Sequence, residues 1–201
     1  MPTLPYRQRL EARMLDIAER ILAEEGLAAV QARRIALEAD CSVGTLYNVF
    51  GDLNGLLIAI NTRTLKALGA ALEIAARGAA RGSLEDRLLA LALAYRDYAV
   101  EHGLRWRALF EHLMPPGAEA PQSFVDERTR LLDLIGRCIE GIEPDPERRG
   151  TAARALFGAV HGIIKLALDN KLGGAEADET EAQVRFIVRH VARGLAATPR
   201  A

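Results

Sequence analysis

The feature that most constrains the fold is the spacing of apolar residues, which follows the period of an α-helix. In the first such stretch they recur three or four residues apart, at Leu10, Met14, Ile17, Ala18, Ile21 and Leu22. This spacing places them on one face of a helix. Ala, Leu, Glu and Arg, which favour helices, dominate the sequence, and strictly alternating β-branched runs are absent. We therefore predict an all-α fold.

Capping residues divide the chain into about nine predicted helices. Ser42 is suited to cap a short third helix, and Asp52 to cap a long fourth one. Ser83 with Asp86 forms a capping-box pattern, and Asp145 precedes a proline at a first helical position. The predicted helices span roughly residues 6–25, 32–39, 43–50, 52–77, 83–100, 103–115, 122–142, 145–171 and 178–195.

These helices are expected to form two domains. Residues 1–51 make an N-terminal three-helix unit with a helix-turn-helix layout, and residues 52–201 make a larger helical domain. The long fourth helix joins the two without a flexible tether. No segment approaches 18 uncharged apolar residues, so no membrane span is expected. The N-terminus lacks the apolar core of a signal peptide, which favours a cytoplasmic location.

The two cysteines and the net charge limit the possible chemistry. Cys41 and Cys138 show no metal-ligand spacing, and we expect neither a disulfide nor a bound metal or other cofactor. The formal net charge of −1 argues mildly against indiscriminate nucleic-acid binding. Six arginines in the first 51 residues are outnumbered by seven acidic residues, so a DNA-binding role depends on where the charges lie.

The third predicted helix has the layout of a DNA-reading helix. Leu46 and Phe50 lie four residues apart and face the core, which leaves Gly44, Thr45, Tyr47 and Asn48 pointing outward. In a helix-turn-helix such a short helix is presented by its partner, and its exposed side chains reach base edges. The amide groups at its N-terminus can also meet a phosphate.

Residues 10–60 resemble the DNA-binding domain of the TetR family of bacterial regulators. The resemblance rests on Ile35-Ala36, the turn Asp40-Cys41-Ser42 and the block Gly44-Thr45-Leu46-Tyr47 followed by Phe50. It implies a repressor that binds a palindromic double-stranded DNA operator as a homodimer and is released by a small-molecule effector. The DNA-contacting residues it implies are Arg33, Ser42, Val43, Gly44, Thr45, Tyr47 and Asn48.

The sequence departs from the family pattern at three places. Val30-Gln31-Ala32 replaces the usual threonines before the second helix, and Leu53 replaces a lysine that often contacts phosphate. Asp40 stands where the turn usually has glycine, and its charge is unfavourable near DNA. These changes indicate weaker contacts with the DNA backbone, or compensation by Arg7, Arg9 and Arg33.

The second half is similar to a TetR subclass with a Trp-His-Gly signature on the eighth helix. Here the stretch 157–162 keeps His161-Gly162 and lacks the tryptophan. We expect an apolar or amphipathic effector in this domain, since such pockets are mostly apolar with few polar anchors. Candidate ligand-binding residues are Tyr95, Tyr98, Trp106, Phe110, Met114, Phe124 and His161. About half are expected to be plain core, and His161 is at least as readily explained as a hydrogen-bonded core histidine.

The predicted dimer interface uses the eighth and ninth helices. Both carry more apolar positions than one core face requires, and two such helices from each chain make a four-helix bundle. The interface candidates are Leu156, Val160, Ile163, Ile164, Ala167, Val184, Ile187, Val188 and Val191.

Two other classes of function stay open. An enzyme is disfavoured because the four histidines lie on different predicted helices and no metal-binding, phosphate-loop or nucleophile motif is present. No catalytic residue is therefore assigned. A helical dimer that has lost DNA binding is compatible with the missing lysine and threonines.

Overall fold

The computed structural model describes residues 5–171 and 177–197. Over these ranges it contains nine α-helices, one short 3-10 turn at Leu27–Ala29 and no strand, which confirms the all-α prediction. The helices are α1 Tyr6–Glu25, α2 Ala32–Glu38, α3 Val43–Phe50, α4 Leu53–Gly78, α5 Leu84–Glu101, α6 Gly103–Glu111, α7 Gln122–Ile139, α8 Pro146–Leu168 and α9 Ala177–Ala197.

The predicted caps are present as hydrogen bonds. The amide of Thr45 donates to Ser42 Oγ at 3.0 Å, and the amide of Gly55 donates to Asp52 Oδ1 at 2.8 Å. At α8 the amide of Glu147 donates to Asp145 Oδ1 at 3.0 Å. Because these bonds satisfy amides that have no partner inside a helix, they fix where each helix begins.

The capping box at the start of α5 is also complete. The Ser83 amide and hydroxyl donate to Asp86 Oδ2 at 3.0 and 2.7 Å, and the Asp86 amide donates to Ser83 Oγ at 3.2 Å. These hydrogen bonds stabilise the carboxylate and hold the pKa of Asp86 below its usual value. Three helices end three or more residues earlier than predicted, α6 at Glu111, α7 at Ile139 and α8 at Leu168. Pro115 accounts for the first difference, since a proline disfavours helical backbone just before it.

The first compact unit comprises the residues up to Lys66 and residues 102–126. Its core contains fully buried side chains from α1, α2 and α3, such as Met14, Ile35 and Leu46. Leu56 and Ile60 from the first half of α4 belong to the same core, as does Ala108 of α6, which packs on α1. The unit is therefore larger than the predicted DNA-binding domain of residues 1–51, which stays a prediction about function.

The second compact unit comprises residues 67–101 and 127–201. Within it, α5 packs against both α8 and α9, and α8 packs against α9. Its buried core includes Leu88 of α5, Ile164 of α8 and Val188 of α9. The second half of α4 and most of α7 complete the unit, so α4 contributes to both units.

One described helix, α8, is long and apolar enough to cross a membrane by length and composition, although the sequence analysis found no such segment. The helices α3 and α4 meet these criteria only when counted together across a 60° bend. Core helices of soluble proteins meet the same test. Only 22% of the apolar window of α8 is fully buried within the chain.

Candidate nucleic-acid interface and apolar cavity

The turn between α2 and α3 is closed by backbone hydrogen bonds. The amide of Cys41 donates to the carbonyl of Ala36 at 2.9 Å. Asp40 has a φ of 56°, in the left-handed region that usually requires glycine and that Asp tolerates better than most residues. The Cys41 sulfur lies 3.9 Å from the sulfur of Met14, so this half-buried side chain anchors the turn on α1.

The reading helix α3 has one buried and one exposed face. Leu46 is fully buried and fixes the helix on the core. Tyr47 is 42% exposed, and Gly44 and Asn48 are exposed beside it. A Cβ placed on Gly44 would come no closer than 3.6 Å to any other group, so the backbone of α3 is accessible from outside at this point.

Of the seven predicted DNA-contacting residues, Arg33, Ser42, Gly44, Tyr47 and Asn48 are exposed. The other two, Val43 and Thr45, are partly buried. The hydroxyls of Ser42 and Thr45 lie 2.8 Å apart and hydrogen-bond to each other, so the two side chains are held in place at the start of α3. The exposed set lies on α2, the turn and α3, as predicted. Contact with DNA stays a prediction for each of them.

The arginines beside this surface fall into two groups. Arg34 makes two hydrogen bonds to the carboxylate of Glu25, at 2.6 and 2.8 Å, and a third to Glu38, and these bonds raise its pKa. Arg20 pairs with Glu24 and Glu38. Arg33, by contrast, is exposed and has no ion pair among the residues described. Its charge is therefore available to a phosphate.

The sequence analysis missed one exposed side chain on α2. Leu37 is 80% exposed, four residues after Arg33 and therefore on the same side of the helix. The exposure of Leu37 can be recognised only when the structure shows that Ile35 and Ala36 form the buried face of α2.

A small apolar cavity lies within the second unit. Its volume is about 40 Å³, and its lining comes from α4, α5, α7 and α8. The lining residues are Leu72, Leu88, Leu91, Ala92, Tyr95, Leu131, Ile135, Leu156, Phe157 and Val160.

Among the lining residues only Tyr95 carries a polar side-chain group, its hydroxyl. It lies 2.8 Å from Nδ1 of His161, and the His161 ring stacks on Phe157 with ring centres 5.6 Å apart. Burial lowers the pKa of His161, and the positive charge of Lys165 lowers it further. The imidazole is therefore neutral near pH 7, and the sequence-predicted pair Tyr95 and His161 is brought together.

The other predicted ligand-binding residues are distributed over both units. Tyr98 is buried in the second unit without lining the cavity, whereas Trp106, Phe110, Met114 and Phe124 belong to the first unit. Trp106 is fully buried and packs against Phe110 at 5.3 Å, which makes this pair part of the first unit's packing. Of the seven candidates only Tyr95 lines the cavity.

The predicted dimer residues divide by face, and the interface itself stays a prediction. Five are buried inside their own chain, namely Leu156, Val160, Ile164, Val184 and Val188. The other four are half-buried, namely Ile163, Ala167, Ile187 and Val191. Helices α8 and α9 pack against each other and against α5 within one chain, which the sequence could not show. The large apolar side chains exposed on these helices are Leu166, at 43%, and Phe186, at 63%.

Comparison with known proteins agrees with this architecture. Residues 14–60 match the family model described as bacterial regulatory proteins of the tetR family. Residues 88–191, just over half of the chain, match the tetracyclin repressor-like C-terminal domain. The subclass with the Trp-His-Gly signature stays a prediction.

Named relatives and solved structures are similar over most of their length. The HTH-type transcriptional regulator BetI of Burkholderia thailandensis is 34% identical, over 81% of this chain and 84% of that protein. BetI of Burkholderia ambifaria is also 34% identical, over 89% of this chain and 90% of its own. A protein of unknown function from Rhodococcus sp. RHA1 has a TM-score of 0.76 at 28% identity, covering 93% of this chain and 95% of its own. A possible TetR family regulator from Streptomyces coelicolor A3(2) shares the fold, with a TM-score of 0.66 at 21% identity over 93% of this chain and 98% of its own. The chain therefore belongs to the TetR family and is a DNA-binding transcriptional regulator with an N-terminal helix-turn-helix.

Proposed function

We propose that this regulator is a cytoplasmic repressor that binds a palindromic operator as a homodimer and is released by a small-molecule effector. The observation that carries the DNA-binding part is the exposed face of α3. Gly44, Tyr47 and Asn48 are exposed on a short helix that buried Leu46 fixes and Ser42 caps. These side chains can reach base edges, and the first amides of α3 can meet a phosphate.

A mobility-shift experiment with the DNA upstream of the regulator's own gene tests the operator. We expect binding that survives excess non-specific DNA and a footprint made of two symmetric half-sites. Inserting about five base pairs between the half-sites rotates one of them by half a helical turn, so a dimer could no longer engage both. Affinity should then fall at least tenfold, and equal affinity for both spacings would contradict a dimer reading a palindrome.

We propose that the dimer forms through the exposed faces of α8 and α9. Leu166 and Phe186 are the large apolar side chains exposed there, and Gly158 and Gly162 leave open space in which another helix could approach. This interface would cover the part of α8 that its own chain leaves exposed. Four helices packed in this way form a bundle.

Sedimentation of two matched variants tests this interface. Phe186→Glu places a charge at the centre of the proposed contact, and we expect monomers at micromolar concentration. Leu113→Glu makes the same change at an 82% exposed position of the first unit and should leave the dimer intact. If the Phe186→Glu variant stays dimeric, the interface does not include Phe186 and lies elsewhere.

The effector part of the proposal rests on the cavity and on α4. Leu72 of α4 lines the cavity, while Leu56 and Ile60 of the same helix belong to the core around α3. A ligand that displaces Leu72 would therefore act on a helix shared by both units. It would change operator affinity only if it bound one conformer more tightly than the other. Thermal-shift screening followed by operator titration with each hit measures both properties.

A further inference from the structure

We propose that a cleft on the surface of the second unit binds a small anion with two or three negative charges, carried on phosphate or carboxylate oxygens. The cleft lies between the end of α4, the start of α5 and the end of α7, and its volume is about 460 Å³. Sites for small molecules commonly have volumes of about 300–1,000 Å³. The cleft shares no lining residue with the apolar cavity and is a separate site.

Three arginines from three different helices line the cleft. Arg77 comes from α4, Arg87 from α5 and Arg137 from α7. Burial raises the pKa of the Cys138 thiol, and the positive charges of Arg87 and Arg137 oppose that rise. Both charges are therefore near the same sulfur atom, which also lines the cleft. Guanidinium groups donate paired hydrogen bonds to carboxylates and phosphates, so this lining is suited to such anions.

The chain supplies little negative charge to balance these arginines. Among the described residues, Glu73 is the only carboxylate in the lining, and it accepts hydrogen bonds of 2.6 and 3.1 Å from Arg130. The carboxylate of Glu73 lies 3.9 Å from the guanidinium of Arg77. The lining therefore has three positive charges and one negative charge, and an arginine outside the cleft already shares the negative one. The excess of two positive charges is the reason to expect an anion with two or three charges.

Arg87 is held in the cleft without a carboxylate partner among the described residues. One Nη atom of Arg87 donates to the carbonyl of Cys138 at 3.0 Å, and its buried Nε has no acceptor within the described part of the chain. The preceding carboxylate, Asp86, is held by the amide and hydroxyl of Ser83. A half-buried cation that lacks a nearby negative charge has an unfavourable electrostatic free energy. An anion in the cleft would make that free energy more favourable.

Arg137 provides the accessible part of the site. Its side chain is exposed, and it forms no ion pair with any residue that the structure describes. The carboxylate of Glu140, one turn later on the chain, lies 3.9 Å from Arg149 instead. The guanidinium of Arg137 can therefore bind an anion that enters from solvent, while Arg87 contributes its charge from deeper in the cleft.

Calorimetry on the full-length protein, without DNA, divalent cations or added salt, tests the ligand class. Pyrophosphate and tricarballylate carry two or more negative charges at pH 7, whereas acetate carries one. At least one of the first two should bind at least tenfold more tightly than acetate, and the tighter of them shows whether phosphate or carboxylate oxygens are preferred. The inference is overturned if neither of them binds more tightly than acetate.

Two matched variants locate the site. Arg137→Gln removes one charge from the cleft and should weaken binding of the tighter anion at least tenfold. Arg128→Gln removes the same charge from an exposed position about two and a half turns earlier on α7, and therefore on the opposite side of the helix. It should change the affinity less than twofold. Equal affinities for the two variants would overturn the site.

A spectroscopic measurement tests the contribution of Arg87 without destabilising the fold. Because Arg87 also joins α5 to the carbonyl of Cys138, its removal would affect stability as well as charge. Arg87→Lys keeps the charge, and the Nε–H resonance that this variant lacks is that of Arg87. In the original chain this resonance should shift as the tighter anion is added, whereas the Nε–H resonance of Arg128 should not. An unmoved Arg87 resonance at saturating anion would overturn the site.

Discussion

The substitution Gly44→Ala should separate DNA binding from folding. A Cβ at this position would lie 3.6 Å from its nearest neighbour, Ser42 Oγ, which is an ordinary van der Waals distance. Alanine also favours a helix over glycine by about 0.5–1 kcal/mol, so the free energy of unfolding should stay equal or rise by that amount. On the DNA side, the added methyl group would stand where the first amides of α3 approach a phosphate. We expect operator affinity to fall at least tenfold, which corresponds to about 1.4 kcal/mol or more.

The control is the same substitution at Gly55, where the structure leaves no room. A Cβ there would lie 2.0 Å from the carbonyl oxygen of Phe50, at least 1.0 Å closer than real contacts of this kind. The backbone at the junction of α3 and α4 would have to move, and overpacking of this kind costs about 1–3 kcal/mol. Allowing for the helix preference of alanine, we expect Tm to fall by up to about 8 °C.

Thermal denaturation and operator titration on both variants complete the test. Gly44→Ala should lose operator binding with an unchanged or higher Tm, and Gly55→Ala should lose stability first. A Gly44→Ala protein that is stable and binds the operator as tightly as the original chain would refute the close approach of α3 to DNA.

Three further substitutions test single features of the first unit. Asp40→Asn keeps a residue that tolerates the left-handed turn and removes a charge, so operator affinity should rise about two- to fivefold at low salt with little change in Tm; an unchanged affinity would place Asp40 away from the DNA. Leu46→Asp buries an unpaired carboxylate and should unfold this unit by circular dichroism, at a cost of several kcal/mol, whereas Leu37→Asp at an exposed site should stay folded. Tyr47→Ala should weaken operator binding about tenfold in a mobility-shift assay. Because Tyr47 is 42% exposed, Tm should change by less than about 2 °C. Unaltered operator binding would show that Tyr47 does not contact DNA.

Local chemistry made much of this protein predictable from its sequence. The caps at Ser42, Asp52 and Asp145 are side-chain to backbone bonds within two or three residues, so the sequence alone contains both partners. The inward face of α3 follows from the helical period in the same way, and Leu46 is fully buried as expected. The exposed face of α3 is then the face that the helical period leaves outside.

Features that depend on packing between distant segments were not predictable. The sequence shows that α8 and α9 are apolar on more than one side, but only their packing within the second unit decides that Leu156 and Val188 face inward. The need for glycine at position 55 arises because the carbonyl of Phe50 lies where a Cβ would stand. Trp106 was a ligand candidate by residue type, and its complete burial in the first unit could be known only from the structure.

Most acidic side chains of the N-terminal region are already held in ion pairs, so its near-neutral net charge does not describe the charge at its surface. Seven acidic side chains lie in the first 51 residues, and five of them form ion pairs, namely Asp16, Glu19, Glu24, Glu25 and Glu38. Two of their partners, Arg63 and Arg105, come from α4 and α6 and do not enter a charge count over residues 1–51. A count of charges therefore understates the positive charge at the surface, where Arg33 stands without an ion pair among the described side chains.

The salt dependence of operator binding measures whether the charge of Arg33 contacts a phosphate. Each phosphate that a protein cation neutralises contributes about −0.9 to the slope of log K against log salt concentration. Arg33→Ala should therefore make the slope less steep by about 0.9 for each half-site. Arg34→Ala is the matched control, because Arg34 is already held by Glu25 and Glu38, and its removal should leave the slope unchanged. Equal slopes for the original chain and Arg33→Ala would show that Arg33 does not contact a phosphate, and the charge supporting DNA binding would have to come from elsewhere on the first unit.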